Sequence, residues 1–309
     1  MYVFVRSLSI NKMGAVLSSI VFTYNGFFMA HLYAGHLTFV QNYIWIPLIF
    51  FYLHKFLKTL HPRHAILAGL FLGVQILGGF PQIAFYTILG ALLYTFYSVC
   101  IRLEREGGQY VLKAAFGMIA ILAAGFTLAA LQLLPTYEFT QLSTRAGGIS
   151  YEFATFDSLP PKNFITFLIP DFFGVPANRT FWISDASWTF WEYCGYVGLC
   201  ALILPVITIK RIVADRVAIF FVFMLVIALF LSLGKHNPLY RFIYYLPGFH
   251  HFRIPAQILF LYVFSIAVLA GMGLHHLTDG RAFSTTHRMV VLCGLLIFLI
   301  LTIWVHVHP

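Results

Sequence analysis

Two stretches of the sequence carry residue types whose spacing can do chemistry. Just beyond an apolar run that ends at Leu134, Glu138 and Arg145 stand in a polar segment rich in Thr, Ser and Gly, within reach of a substrate at a membrane interface. A carboxylate there could act as a general base or hold a metal, and an arginine could grip a phosphate through two parallel N–H bonds. The plainer reading is that the two pair with each other or with lipid headgroups. In the second stretch, 238–255, Arg241 and Arg253 could flank an anionic lipid phosphate, with Tyr244 and Tyr245 against its chain or sugar. The alternative there is an aromatic belt with arginines reaching back to the interface.

The histidines argue against a transition-metal centre. His31 and His36 are five apart, while His250–His251 and His275–His276 are adjacent. None of these pairs has the i, i+4 placement that aims two ligands from one helical face at one metal. The sequence also lacks a Walker-type phosphate loop, a GxSxG elbow and a recognisable nucleotide domain, so ATP-driven transport by this chain alone is not expected.

The elements that must position these residues are set by composition. Of 309 residues, 61% are hydrophobic and 9% charged, and the mean hydropathy is +0.87. A soluble domain cannot hide that much apolar surface, whereas windows of about 20 apolar residues are what a bilayer core requires. The pattern predicts an all-α, polytopic bundle of about eight or nine membrane helices in one domain, 1–309. The segments are 13–29, 40–53 with Phe56 and Leu57, 65–79, 82–101, 110–134 ending at Pro135, 193–209, 217–233, 254–274 and 289–305. Gly78, Gly79 and Pro81 force a turn between the third and fourth. Gly69 and Gly73 have the spacing that lets another helix approach closely. Cys100, Cys194, Cys200 and Cys293 lie in or beside apolar segments and are expected as small core residues. Residues 1–10 resemble the last turns of a helix, too short to span and interrupted by Arg6, so the chain is expected to be a piece of a longer protein.

Net charge is +9, with the bases spread thinly between apolar segments, which is no footprint for nucleic acid. Membrane topology explains them better. Alternating the segments puts 13 of the 19 Lys and Arg on one side, among them Lys55, Lys58, Arg63, Arg102, Arg105, Lys210, Arg211 and Arg216. That side is expected to be cytoplasmic. The other then holds the longest polar loop, 136–191, a second segment, 234–253, and six of the ten acids: Glu138, Glu152, Asp157, Asp171, Asp185 and Glu192.

A set of ordered motifs runs through most of the chain: YNGFFMAHL at 24–32, Gly35-His36-Leu37 with Gln41, Trp45 and Pro47, GFPQ at 79–82, QLLP at 132–135, RAGG at 145–148, SLPP at 158–161, GYVG at 195–198, PLYR at 238–241, LPGF at 246–249 and FRIP at 252–255. Together they resemble the YfhO-like family of bacterial membrane proteins. The resemblance implies a GT-C-type glycosyltransferase fold in the bacterial cytoplasmic (inner) membrane, using a polyprenyl-phosphate-linked sugar and a cell-surface glycan or polymer as acceptor. The family's catalytic acid is expected upstream of residue 1, so the catalytic residue within this chain is open, with Glu138 as the candidate, and Arg145, Arg241, Arg253, His36 and Tyr245 are the candidate substrate-binding residues. No cofactor is required by the resemblance, and a divalent cation is compatible with it. One departure stands out: the superfamily generally places its key acid in a first external loop that this chain lacks, which implies a truncated and inactive chain or an acid upstream of residue 1.

Two other classes fit the same composition. A transporter or lipid flippase would use the Gly/Pro break at 78–82 and polar groups such as Gln75 and Gln132 around a midplane cavity. A non-catalytic membrane scaffold would need no cavity. A groove at the outer end beside the long loop favours transfer.

Overall fold

The computed structural model describes residues 1–143, 145–182 and 187–278, and is all-helical with no strand among those residues. Helix α1 (Tyr2–Ser7) inserts Phe4 into the core. Helices α2 (Lys12–Thr23) and α3 (Gly26–Tyr33) form one rising span broken at Asn25, whose side chain caps Phe28 N at 2.8 Å and also meets the Tyr43 hydroxyl. Helices α4 (Leu37–Tyr43) and α5 (Ile46–Thr59) descend, and α6 (Pro62–Leu77) returns.

The long helix α7 (Pro81–Gln141) is a hairpin in disguise. Gly107 has φ 67° and ψ −170°, a left-handed conformation that glycine adopts without steric cost, and the chain reverses there. Arg102 before the bend and Tyr110 after it both donate to the Leu57 carbonyl, at 3.0 and 3.1 Å. The returning leg, 108–141, lies parallel to α6: Gly69 faces Ile121 and Ala124, Gly73 faces Gly125 and Leu128, and Gly79 faces Gln132. At 1.5 Å per residue the two legs are about 39 and 51 Å long, each more than the hydrocarbon core.

After α8 (Tyr151–Ala154), α9 (Leu199–Ile207), α10 (Ile209–Ile212) and α11 (Arg216–Ser232), the short α12 (Tyr240–Tyr244) leads to α13 (Leu259–Thr278). Helix α13 is apolar all round and is therefore wrapped on every side. Its Phe264 meets Phe4, Phe50 and Phe221 at ring distances of 5.5, 4.9 and 5.8 Å, tying α1, α5 and α11 to the centre. Close passage of α2 beside α13 rests on Gly14 and Gly271, where a β-carbon on either would collide with the other backbone.

Three helices are long and apolar enough to cross a membrane among the described residues: Lys12–Tyr33, Pro81–Gln141 and Pro255–Thr278, the last with a short 3₁₀ turn at its start. Pro62–Leu77 and Arg216–Ser232 are apolar but shorter. Several expected boundaries move. The segment expected at 40–53 is split, because Pro47 starts a new helix in α5 after the short α4. The fifth segment does not end at Pro135. The helix runs through it to Gln141, with Thr136 and Thr140 hydroxyls bonded to the Gln132 and Thr136 carbonyls at 2.7 Å. The segment expected at 193–209 begins its helix only at Leu199. Cys100 and Cys200 are exposed on the bundle surface and Cys194 is half-buried, so they do not form core contacts as a group. The segment 289–305 and Cys293 lie outside the described residues.

The bundle has two chemically distinct ends. Leu57, Arg102 and Tyr110 meet at one, where Arg216 Nη1 also lies 3.4 Å from the Ile101 carbonyl. Arg211 bonds the His276 carbonyl and Asn11 bonds Thr278 at the same end, where α13 finishes. At the opposite end the two long connections pack on each other. Leu159 N donates to the Ser232 carbonyl, Lys235 N to Ser158 Oγ, and Ile149 N to the His250 carbonyl, each at 2.9 Å.

Candidate functional site

A cavity of about 1020 Å³ opens at that second end, between the tops of α3, α6, the returning leg of α7 and α13. Each wall follows from local sequence. The turn Gly78–Gly79–Phe80 ends α6 and Pro81 starts α7, which places Gln82 in the wall. Continuation of the α7 helix beyond Pro135 presents Leu133, Thr136, Tyr137, Thr140 and Gln141 along one face, at helical spacing.

The floor is formed by three buried polar side chains from distant parts of the chain. His31 ends α3 at 1% exposure, Glu192 lies in a 3₁₀ turn at 2%, and Gln257 stands in the 3₁₀ turn before α13 at 5%. His31 Nε2 is 3.6 Å from Glu192 Oε2, and Gln257 Nε2 donates to Glu192 Oε1 at 3.1 Å. The other imidazole nitrogen, His31 Nδ1, is 2.9 Å from the Phe27 carbonyl, an acceptor, so it carries the proton. The His31 ring is fixed by stacking on Phe39, 4.0 Å between centroids. His36 stands beside it, edge-on to Trp191 at 5.0 Å. Burial first, then the nearby His31 imidazole, hold the His36 ring below the usual histidine range, with Glu192 opposing.

Two arginines occupy the rim. The Arg145 and Arg253 guanidinium carbons lie 5.9 and 5.6 Å from the centre of the same Phe153 ring. Among the described residues no carboxylate comes within ion-pairing distance of either; the close acid–base contacts are His31–Glu192 and Arg102–Glu106. Arg253 is aimed by an unusual backbone. Ile254 has φ 63°, a left-handed conformation costing a β-branched residue of the order of 1–3 kcal/mol. Gln82 Nε2 holds the link by donating to the Arg253 carbonyl at 2.6 Å and toward the Ile254 carbonyl at 3.3 Å.

Of the six residues singled out from sequence, His36, Arg145 and Arg253 line this cavity. Glu138 does not: it is exposed on another face of the α7 helix from the one that forms the wall. Arg241 and Tyr245 are exposed outside the cavity, and Tyr245 packs edge-on to Tyr244 at 5.1 Å. Gln75 is committed elsewhere, donating to the Asn42 carbonyl and Thr87 Oγ1. Sequence reasoning missed His31, Glu192 and Gln257 as a unit. A usable signal existed, since an ionisable residue inside a strongly aromatic run, Phe190-Trp191-Glu192-Tyr193, needs a partner when buried.

A divalent cation does not fit what is present. No three His, Cys, Asp or Glu side chains converge on one point among the described residues. Two opposed ligands at the floor fall short of the carboxylate-rich sets that magnesium or calcium take.

Compared with protein-family models, with curated proteins and with solved structures, the chain matches none.

Proposed function

We propose that this chain is a YfhO-like, GT-C-type membrane glycosyltransferase, or a part of one, with about eight or nine spans in a bacterial cytoplasmic membrane. Its donor is a polyprenyl-phosphate-linked sugar, and its acceptor is a glycan or polymer outside the cell. Orientation follows from the bases: the end carrying Arg102, Arg211 and Arg216 faces the cytoplasm, and the cavity faces out.

The observation that carries the reading is the pair of guanidinium groups, Arg145 and Arg253, held over one ring at the mouth of a large membrane-end cavity. Two cations gathered at one mouth, with no carboxylate within ion-pairing distance of either among the described residues, suit an anion, and a leaving lipid phosphate is such an anion. Polar groups at the floor and apolar side chains in the wall, Leu133 and Phe252 among them, suit a headgroup below and a hydrocarbon chain beside it. A cavity at the end of the bundle also favours transfer over midplane transport.

The test uses the full chain in nanodiscs with undecaprenyl phosphate as probe, followed by Trp fluorescence. Arg145→Ala and Arg253→Ala should each weaken binding by about tenfold, the scale of a charge-assisted bond. Arg241→Ala, outside the cavity, should leave it unchanged. Wild-type affinity in both rim variants would remove the phosphate reading.

A further inference from the structure

The floor of the cavity has a one-sided hydrogen-bonding character. Glu192 Oε2, His31 Nε2 and Gln257 Oε1 are all buried and lack hydrogen-bond partners among the described residues. Their roles are fixed by what their other atoms do. Gln257 must point its NH₂ at Glu192 Oε1, which leaves its carbonyl oxygen as an acceptor. His31 Nδ1 is spent on the Phe27 carbonyl, which leaves Nε2 turned toward Glu192, a lone pair in the neutral ring and an N–H in the charged one. Glu192 Oε2 lies 3.6 Å from that nitrogen, too far for a direct bond. Buried acceptors without donors are costly, at about 1–3 kcal/mol for each uncharged one and more for the carboxylate. Glu192 Oε2 and Gln257 Oε1 accept whatever the charge on His31, and together they define the complement: a group rich in donors and carrying no negative charge.

We infer that His31, Glu192 and Gln257 form the headgroup subsite, and that it selects a neutral, hydroxyl-donating sugar against an acidic one. This rests on the transferase reading and names the class of sugar it takes. A hydroxyl can bridge the gap of 3.6 Å, donating to Glu192 Oε2 while its own oxygen accepts from His31 if that ring is protonated. With His31 neutral, a second hydroxyl donates to Nε2. Vicinal hydroxyls on a pyranose ring provide both. A uronic acid brings a second carboxylate against Glu192 at a buried floor, where like charges repel more strongly than in open water. The positive groups lie at the other end of the cavity, on the rim, where they meet phosphate. The cavity is thus polarised, with acceptors at the floor and cations at the mouth, matching a sugar phosphate whose sugar points inward.

The experiment compares three probes on the full chain in nanodiscs: polyprenyl phosphate, polyprenyl-phosphate glucose and polyprenyl-phosphate glucuronate. Wild type should bind the glucose lipid roughly ten- to a hundredfold more tightly than the bare phosphate, the worth of one hydroxyl bond to a carboxylate. The glucuronate lipid should show no such gain. Glu192→Gln turns an acceptor into a partial donor and should abolish the glucose increment while leaving bare-phosphate affinity intact. Because that affinity is read in the same protein, it also shows that the variant is folded; His31→Gln supplies an independent second variant with the same expected loss. Equal binding of glucose and glucuronate lipids, or a glucose increment that survives Glu192→Gln, would overturn the subsite. Failure of the bare phosphate to bind wild type would instead sink the transferase reading itself.

Discussion

Replacing Gly69 by alanine tests whether the returning leg of α7 is docked as described. A β-carbon at Gly69 would sit 2.5 Å from the Ile121 carbonyl oxygen and 2.7 Å from the Ala124 β-carbon. Carbon atoms prefer about 3.5–4.0 Å, so the helices must part by about 1 Å. Both obstructing atoms belong to, or sit directly on, the helix backbone and have no rotamer by which to give way. Overpacking of this kind costs about 1–3 kcal/mol. Helix propensity works the other way, favouring alanine over glycine by up to about 1 kcal/mol. Gly108→Ala is the control, because nothing lies within 4 Å of a β-carbon there. Equilibrium unfolding in mixed micelles, with dodecyl sulfate as denaturant, should place Gly69→Ala about 1–3 kcal/mol below Gly108→Ala. The same displacement should loosen the wall that carries Thr136 and Tyr137 and weaken undecaprenyl phosphate binding. Equal or greater stability of Gly69→Ala would refute the close parallel packing of this leg on α6.

Acid should destabilise the cavity end. Burial first, and then neighbouring histidines, lower the pKa of His36 and His251, so the unfolded chain takes up protons more readily below about pH 6.5. Their contribution is complete above that pH and is lost as pH falls through it; the unfolding midpoint should drop between about pH 7.5 and 5, and the His36→Gln, His251→Gln double variant should flatten the slope. An unchanged slope in the double variant would show that other groups govern the transition. Gln257→Leu strips Glu192 of its donor inside the fold and should cost about 1.5–3 kcal/mol in the same unfolding assay. Burial first, with the charge of Glu192 adding, pushes the Cys194 thiol up to about 12. Native protein should therefore resist maleimide at Cys194 at neutral pH and react after denaturation, as peptide mapping would reveal.

The parts of the fold legible in the sequence are those that depend on local chemistry. The all-helical character, the turn at Gly79 and Pro81, and the extent of α11 and α13 follow from apolar run length and helix breakers. The glycine spacing at Gly69 and Gly73 also marked a true close contact. Pro135 misled because a proline removes one backbone bond without ending a helix whose next hydroxyls keep bonding their own turns. Of the residues lining the cavity, Arg145 and Arg253 were visible as polar residues beside helix ends and His36 as part of the Gly35-His36-Leu37 motif. The His31–Glu192–Gln257 floor was not, since no spacing rule joins an α3 histidine to an acid in a loop and an amide before α13. Their pairing exists only once α3 and α13 stand side by side. Glu138 was attractive for its position after an apolar run, but the helix continues past it and the 100° turn per residue carries it off the cavity wall.

The most direct test of an outward-facing cavity is single-cysteine labelling in intact bacteria, in a background without the native cysteines. Glu138→Cys lies at the cavity end outside the wall, and Lys58→Cys at the opposite end beside Leu57. A membrane-impermeant maleimide should label Glu138→Cys in intact cells and reach Lys58→Cys only after the cells are opened. The reverse pattern would turn the cavity toward the cytoplasm and contradict sugar transfer outside the cell.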